Sequence, residues 1–250
     1  MWDVVRSFTF PLPPSLLASA MPAITATSHA IGGFNETLGS HVKYSKFSET
    51  GEQLGPKVRS KLSMVAVYSP SLAAAVAALA LPAVREAPGA ALVVAMLGLH
   101  FFKRLLESLF LHRYSGTMAL ESVATISFCY LINTSFIIYT QYLTLGTAPP
   151  PVDLKPPAPP SSRWGSAATW GGRVQDPQGG LFGLVTCPHY LFEIMVFAGI
   201  ACASQTVYSF CVMAGTAFYL MGRSWATRKW YLSKFEDYPR EVKALIPFIF

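Results

Sequence analysis

Glu193 is the only charged residue between Leu181 and Gly222. A carboxylate placed in hydrocarbon costs about 2.5–3.5 kcal/mol even on insertion scales, so it normally faces a cavity or a partner. If the segment is helical, Tyr190 and His189, three and four residues earlier, share the face of Glu193. Pro188 suits the first turn of such a helix. A buried phenol beside cationic groups can donate a proton, which makes Tyr190 the candidate donor. A carboxylate paired structurally with a tail cation would leave the same pattern. Further upstream, His100, Lys103, Arg104 and Glu107 fall within an arc of about 100° at helical spacing. A cationic stripe on an apolar helix suits an anionic ligand such as a phosphate. A helix end reaching into lipid headgroups would carry the same residues. In the tail, Arg223, Thr227, Trp230 and Lys234 share a face, with Tyr231 beside them. Neither G-x-G-x-x-G nor G-x-x-x-x-G-K-[ST] occurs, which excludes a soluble Rossmann site and a P-loop.

The elements that would position these groups are membrane helices. Half of the residues (52%) are hydrophobic and only 13% are charged, against about a quarter charged in a soluble domain. The mean hydropathy of +0.39 agrees. Charge-free stretches run over 62–84, 122–152 and, apart from Glu193, 181–222. About 20 helical residues cross a bilayer, so 181–222 is long enough for two helices, which predicts a turn near Ser204-Gln205. A further span covers 87–110. The stretch 7–34 is interrupted by Pro11, Pro13, Pro14 and Pro22 and is read as a weak first span rather than a cleaved signal. The expected fold class is therefore all-α, a polytopic membrane helix bundle with six apparent spans.

Basic clusters flank the spans: Lys43, Lys46, Lys57, Arg59 and Lys61, then Lys103, Arg104 and Arg113, then the tail from Arg223 to Lys243. Topology explains these cations better than nucleic acid, so the expected partner is the lipid bilayer, with no nucleic acid. The four cysteines lie in or beside apolar spans without metal or disulfide spacing, so no metal is expected. The chain divides into a weak span and basic loop over 1–61, membrane helices over 62–146, a Pro-rich irregular linker over 147–177, and a region with two spans and a basic tail over 178–250. Alternating six spans from the first basic loop leaves the basic tail on the opposite side, against the positive-inside trend. One more crossing between 147 and 180 would repair the count, yet that segment offers no apolar run. An unusual re-entrant stretch or a span lost relative to similar proteins would account for this, and the loss is the preferred reading.

Several motifs resemble one family. Leu99-His100-Phe101-Phe102-Lys103-Arg104 through Glu107, then Leu111-His112-Arg113-Tyr114-Ser115-Gly116-Thr117-Met118, form the first. Pro177-Gln178-Gly179-Gly180-Leu181-Phe182 and Cys187-Pro188-His189-Tyr190 with Glu193 follow. The most specific is the ending, Lys234-Phe235-Glu236-Asp237-Tyr238-Pro239 and Lys243-Ala244-Leu245-Ile246-Pro247-Phe248-Ile249-Phe250. The chain resembles the steroid 5α-reductase / trans-2-enoyl-CoA reductase family over 62–145 and 177–250, with a plant-type N-terminal part. The resemblance implies a seven-helix bundle in the endoplasmic reticulum membrane that holds NADPH. It implies hydride transfer to the β-carbon of an α,β-unsaturated carbonyl in a lipid, whether enoyl thioester, steroid or polyprenoid. By position it implies that His100, Arg104, Arg113, His189, Glu193, Arg223 and Tyr231 line the cofactor or the cavity. Tyr68 and Phe101 stand where steroid reductases carry a glutamate and a tyrosine, His189 replaces an asparagine, and Val242 replaces an arginine. The Pro-rich segment stands in place of a nucleotide-gripping helix, which leaves a catalytically impaired family member as the alternative.

Overall fold

The computed structural model describes residues 2–44, 47, 55–112, 114, 116–154 and 180–250. Among these, six long helices dominate. A short α1 (Trp2–Phe8) precedes α2 (Leu16–Thr37), which starts only after Pro14, with Ser15 capping the amide of Ala18. Pro22 lies inside α2, nearly two turns from its start. Then come α3 (Ser60–Leu79), the single turn α4 (Pro82–Arg85), α5 (Pro88–Leu106), α6 (Leu120–Leu143), α7 (Pro188–Ser204) and α8 (Val207–Lys234). A π-helical turn, Glu107–Leu111, continues α5. Ser60–Leu79, Pro88–Leu111 and Leu120–Leu143 are long and apolar enough to cross a membrane, and α7 is a shorter apolar helix. The architecture is an all-helical membrane bundle. Its only sheet among the described residues is a ribbon of β1 (Lys57–Arg59) and β2 (Thr117–Ala119), paired antiparallel with Val58 opposite Met118. The ribbon ties the start of α3 to the start of α6.

The turn foreseen near Ser204-Gln205 falls there. α7 ends at Ser204, Gln205 adopts a left-handed conformation at φ 51°, and Thr206 caps α8 by accepting from the Ser209 amide. Pro188 opens α7, where its missing N–H leaves no bond unmade.

Packing fixes the direction of each helix. Thr25 meets Tyr208, His29 meets Gly215 and Glu36 meets Arg223, so α2 and α8 run parallel. Arg104 faces Glu193 and Met96 faces Gly199, so α5 and α7 are antiparallel. Gln141 at the end of α6 accepts from Ser204 at the end of α7. The starts of α3, α6 and α7 and the ends of α2, α5 and α8 therefore gather at one end of the bundle. Lys43, Lys57, Arg59, Lys61, Lys103 and the cations of the tail all belong to that end.

This corrects the charge count made from spans alone, which set the tail opposite the first basic loop. The alternation breaks between α6 and α7. Val152 donates its amide to the Ser7 carbonyl and accepts from Gln205 Nε2 at the end where α6 finishes. Leu184, Thr186 and Cys187 instead bond to Lys243 and Ala244 at the basic end. The length of α7, about 25 Å, separates the two positions. The expected linker over 147–177 lies outside the described residues from 155 onward; its first part, through Val152, is held in place.

Candidate functional site

Helical periodicity in α5 sets His100 and Arg104 one turn apart on the face turned to α7. Tyr68 of α3, Tyr130 of α6 and Glu193 of α7 converge on them. Glu193 is 7% exposed, and its Oε1 accepts from the Tyr130 hydroxyl at 2.9 Å. Its Oε2 lies 3.9 Å from Arg104 Nη2, close enough for charge attraction but too far for a hydrogen bond. Arg104 turns its fork elsewhere: Nη2 donates to Tyr68 Oη at 2.8 Å and Nη1 to Glu107 Oε2 at 3.2 Å. The guanidinium also lies 5.1 Å from the centre of the Tyr68 ring. Two buried nitrogens, His100 Nε2 and Arg104 Nε, have no hydrogen-bond partner. The His100 ring packs against Phe101 and Phe197, the latter one turn beyond Glu193. An apolar wall thus surrounds a carboxylate, a guanidinium and two unsatisfied nitrogens. Unpaired buried donors are costly and mark places where a ligand supplies the missing acceptor.

The other residues singled out from the sequence go elsewhere. Arg223, 1% exposed, lies in a second cluster built from α2 and the loop after it. Its Nη1 donates to both oxygens of Glu36 at 2.9 Å and to the Val42 carbonyl at 3.1 Å, and its Nη2 to the Tyr44 carbonyl at 2.9 Å. Tyr44 and Phe47 stack on the guanidinium at 4.1 and 4.4 Å. His41 Nδ1 lies 2.8 Å from the second Glu36 oxygen. Tyr190 lies beside this cluster, next to Tyr44 and Arg223. Sharing a helical face with Glu193 does not give it the same partners, because the loop after α2 covers the first turn of α7. His189 is exposed, its ring 4.2 Å from that of Tyr190. Tyr231 belongs to a third group, stacked on Tyr238 at 5.2 Å and Phe235 at 5.7 Å. Arg113 lies outside the described residues. Lys103 bonds Glu107 at 2.8 Å, the ordinary (i, i+4) pair.

The tail is built into the bundle. Arg228 on α8 donates to the carbonyls of Val242 (2.6 Å) and Arg240 (2.7 Å). Thr186 donates its hydroxyl and amide to Lys243 O at 2.9 and 2.8 Å, in register with the parallel bridge of Val185 and Lys243. Trp225 stacks on the terminal Phe250 ring at 5.9 Å. The ending motif therefore secures the entrance of α7, five residues before Glu193.

NADPH can be tested against these residues. The orphan nitrogens and the free side of Glu193 match a carboxamide, which both donates and accepts. The phosphate end fits less well, because Arg223, a cation the resemblance sets beside the cofactor or the cavity, has its fork filled by Glu36 and two carbonyls. Among the described residues no group of three His, Cys, Asp or Glu side chains could hold a metal ion.

Glu36, Tyr44 and Tyr130 went unnoticed in the sequence. Glu36 carried the one available signal, an acid at the end of an apolar stretch. Tyr130 carried none, being one aromatic among many in a charge-free span.

Comparison with known proteins bears on the segment that ends the chain. The family model described as 3-oxo-5-alpha-steroid 4-dehydrogenase matches residues 171–250. This segment belongs to that family. It is 48% identical over 80 residues to "Steroid 5-alpha-reductase DET2" of Gossypium hirsutum, covering 32% of this chain and 31% of the relative. It is similar to the human "3-oxo-5-alpha-steroid 4-dehydrogenase 1", 45% identical over 74 residues, 30% of this chain and 29% of that one. A third relative is "Polyprenal reductase 1" of Oryza sativa subsp. indica, 43% identical over 76 residues, 29% of this chain and 21% of the relative. The matched stretch spans less than a third of each of these relatives. The family segment contains α7, α8 and the tail, and so brings Glu193, Arg223 and Tyr231; His100, Arg104 and Tyr68 come from outside it.

Proposed function

We propose that this chain is a membrane-bound reductase of a carbon–carbon double bond conjugated to a carbonyl in a lipid, with NADPH as hydride donor. The observation that carries the reading is the meeting of Glu193, from the family segment, with Arg104, His100 and Tyr68, from the first half of the bundle. Relatives named for steroid and polyprenal substrates support a lipid substrate, and the apolar walls suit one. The cluster lies about one and a half turns from the basic end of α7, which the positive-inside trend assigns to the cytosol, where the soluble dinucleotide is found. We assign the membrane to the endoplasmic reticulum by resemblance to the family.

NADPH, when bound, supplies the hydride; Glu193, His100 and Arg104 would hold its carboxamide. Arg104 donates to the Tyr68 oxygen, which leaves the phenol hydrogen to donate to a substrate carbonyl. Negative charge develops on that carbonyl oxygen as hydride reaches the β-carbon, and a preorganised donor in a water-poor site stabilises it. The enolate then takes a proton from solvent at the α-carbon. The cation behind Tyr68 strengthens the donor. The phenylalanines at 101 and 197 exclude water from the same volume. The test is to incubate purified protein in lipid nanodiscs with NADPH and, separately, a 3-keto-4-ene steroid, a trans-2-enoyl thioester and a polyprenal. Oxidation at 340 nm with a product two mass units heavier is expected for one class. No product with any of them would reject the reading.

One observation favours a second reading, a family member without reductase activity: the closure of Arg223 by Glu36. A dinucleotide gripped at one end alone would bind weakly, because binding must offset a large loss of freedom. Calorimetric titration with NADPH separates the two, since only the reductase binds at micromolar concentration.

A further inference from the structure

None of the motifs that led to the site lies in α6, yet α6 supplies the single hydrogen bond that Glu193 receives among the described residues. Tyr130 sits near the middle of that helix. Its ring packs edge-on against Phe101 at 5.6 Å and tilted against Tyr68 at 5.7 Å, so its hydroxyl is aimed by contacts on two neighbouring helices. The hydroxyl donates to Glu193 Oε1 at 2.9 Å. The other oxygen, Oε2, stops 3.9 Å from Arg104 Nη2, about 1 Å beyond an ordinary charge-assisted bond. A buried carboxylate and a guanidinium this close would ordinarily close into contact. Two phenols hold them apart: Tyr68 engages Arg104 and Tyr130 engages Glu193.

We propose that Tyr130 is a positioning residue that holds Glu193 off Arg104, so that Oε2 and Arg104 Nε stay available to a ligand carrying both a hydrogen-bond donor and an acceptor. Resting on the reductase reading, the ligand is the carboxamide of the dihydronicotinamide. Loss of the Tyr130 hydroxyl leaves Arg104 as the only partner for Glu193 among the described residues. The carboxylate then swings into a direct ion pair, draws Arg104 from Tyr68, and removes both presented groups together.

The experiment compares wild type, Tyr130→Phe and, as a control in a separate buried network, Tyr208→Phe, all in nanodiscs. The first readout needs no ligand: the infrared antisymmetric carboxylate stretch identified by its loss in Glu193→Gln. That band shifts in Tyr130→Phe and stays in place in Tyr208→Phe. The second is NADPH affinity, which falls about tenfold or more in Tyr130→Phe, the scale of one hydrogen bond to a charged group, while the melting temperature holds. An unmoved band overturns the proposal, as does wild-type affinity in Tyr130→Phe. A moved band in a protein that binds no NADPH even as wild type keeps the positioning role and rejects the reductase reading instead.

Discussion

Gly222 of α8 and Gly33 of α2 meet backbone to backbone: a Cβ built on Gly222 would collide with the Gly33 carbonyl oxygen. In the other direction, a Cβ on Gly33 would lie 2.5 Å from the Phe218 carbonyl oxygen. Small residues let membrane helices approach this closely, and dispersion then does what water exclusion does elsewhere. Gly222→Ala should lower the thermal stability of the purified protein by about 1–3 kcal/mol, the range for overpacking. Gly199→Ala, where the new methyl would meet Met96 Cε at an ordinary 3.7 Å, should change little. Thermal unfolding in detergent checks both. Equal losses would mean that the close approach is not what holds the pair.

A few residues beyond that crossing, Glu36 and Arg223 form a buried ion pair. Glu36→Leu alone leaves an unpaired guanidinium and should destabilise by about 3–5 kcal/mol. Glu36→Leu with Arg223→Met removes both charges and should regain most of that loss. A double-mutant cycle on unfolding measures the coupling, and additive single losses would contradict it.

Glu193→Gln should weaken NADPH binding, since the amide offers the ligand a donor where the carboxylate offered an acceptor. The exposed Glu86→Gln is the reference and should bind as wild type does. Fluorescence of the reduced nicotinamide on titration reads both, and equal affinities would remove Glu193 from the binding site.

For turnover, the contrast lies between two phenols. Tyr68→Phe removes the hydroxyl bonded to Arg104 and should lower kcat about 100-fold, the scale for loss of a donor at a developing oxyanion. Tyr190→Phe touches only the cluster around Arg223 and should lower kcat far less. The reverse order would restore Tyr190 as the proton donor.

Helix directions make a prediction of their own. Thr147→Cys and Lys234→Cys, both exposed, lie at opposite ends of the bundle and should react with an impermeant maleimide from opposite faces of sealed vesicles. Labelling from one face would overturn the arrangement in which α6 and α7 end at the same face.

What the sequence disclosed, and what it withheld, follows from range. The bend at Gln205 and the start of α7 at Pro188 are local: an overlong apolar run must turn, and proline suits a first helical turn. The inward placement of Glu193 is equally local, because hydrocarbon gives a lone carboxylate nowhere else to go. Partners are not local. Glu36 and Arg223 are far apart in the chain, and no periodicity within either helix names the other. Tyr190 shows the limit of a shared face, since the loop after α2 covers one turn of α7 and α6 covers the next. The ribbon of β1 and β2 has three residues on each side, too few for an alternating pattern to register. The direction of α7 was hidden for a different reason: span counting assumes strict alternation, and here α6 ends at the face where α7 also ends.

The parallel pairing of α2 with α8 has a consequence for biosynthesis. Translation delivers α2 well before α8, so α2 must wait in the translocon or the bilayer with Glu36 uncovered. Lipid cannot satisfy that carboxylate, whereas α8 brings Arg223 to it. Truncation within α8 would therefore strand a charged, partnerless α2, a form that membrane quality control is built to remove.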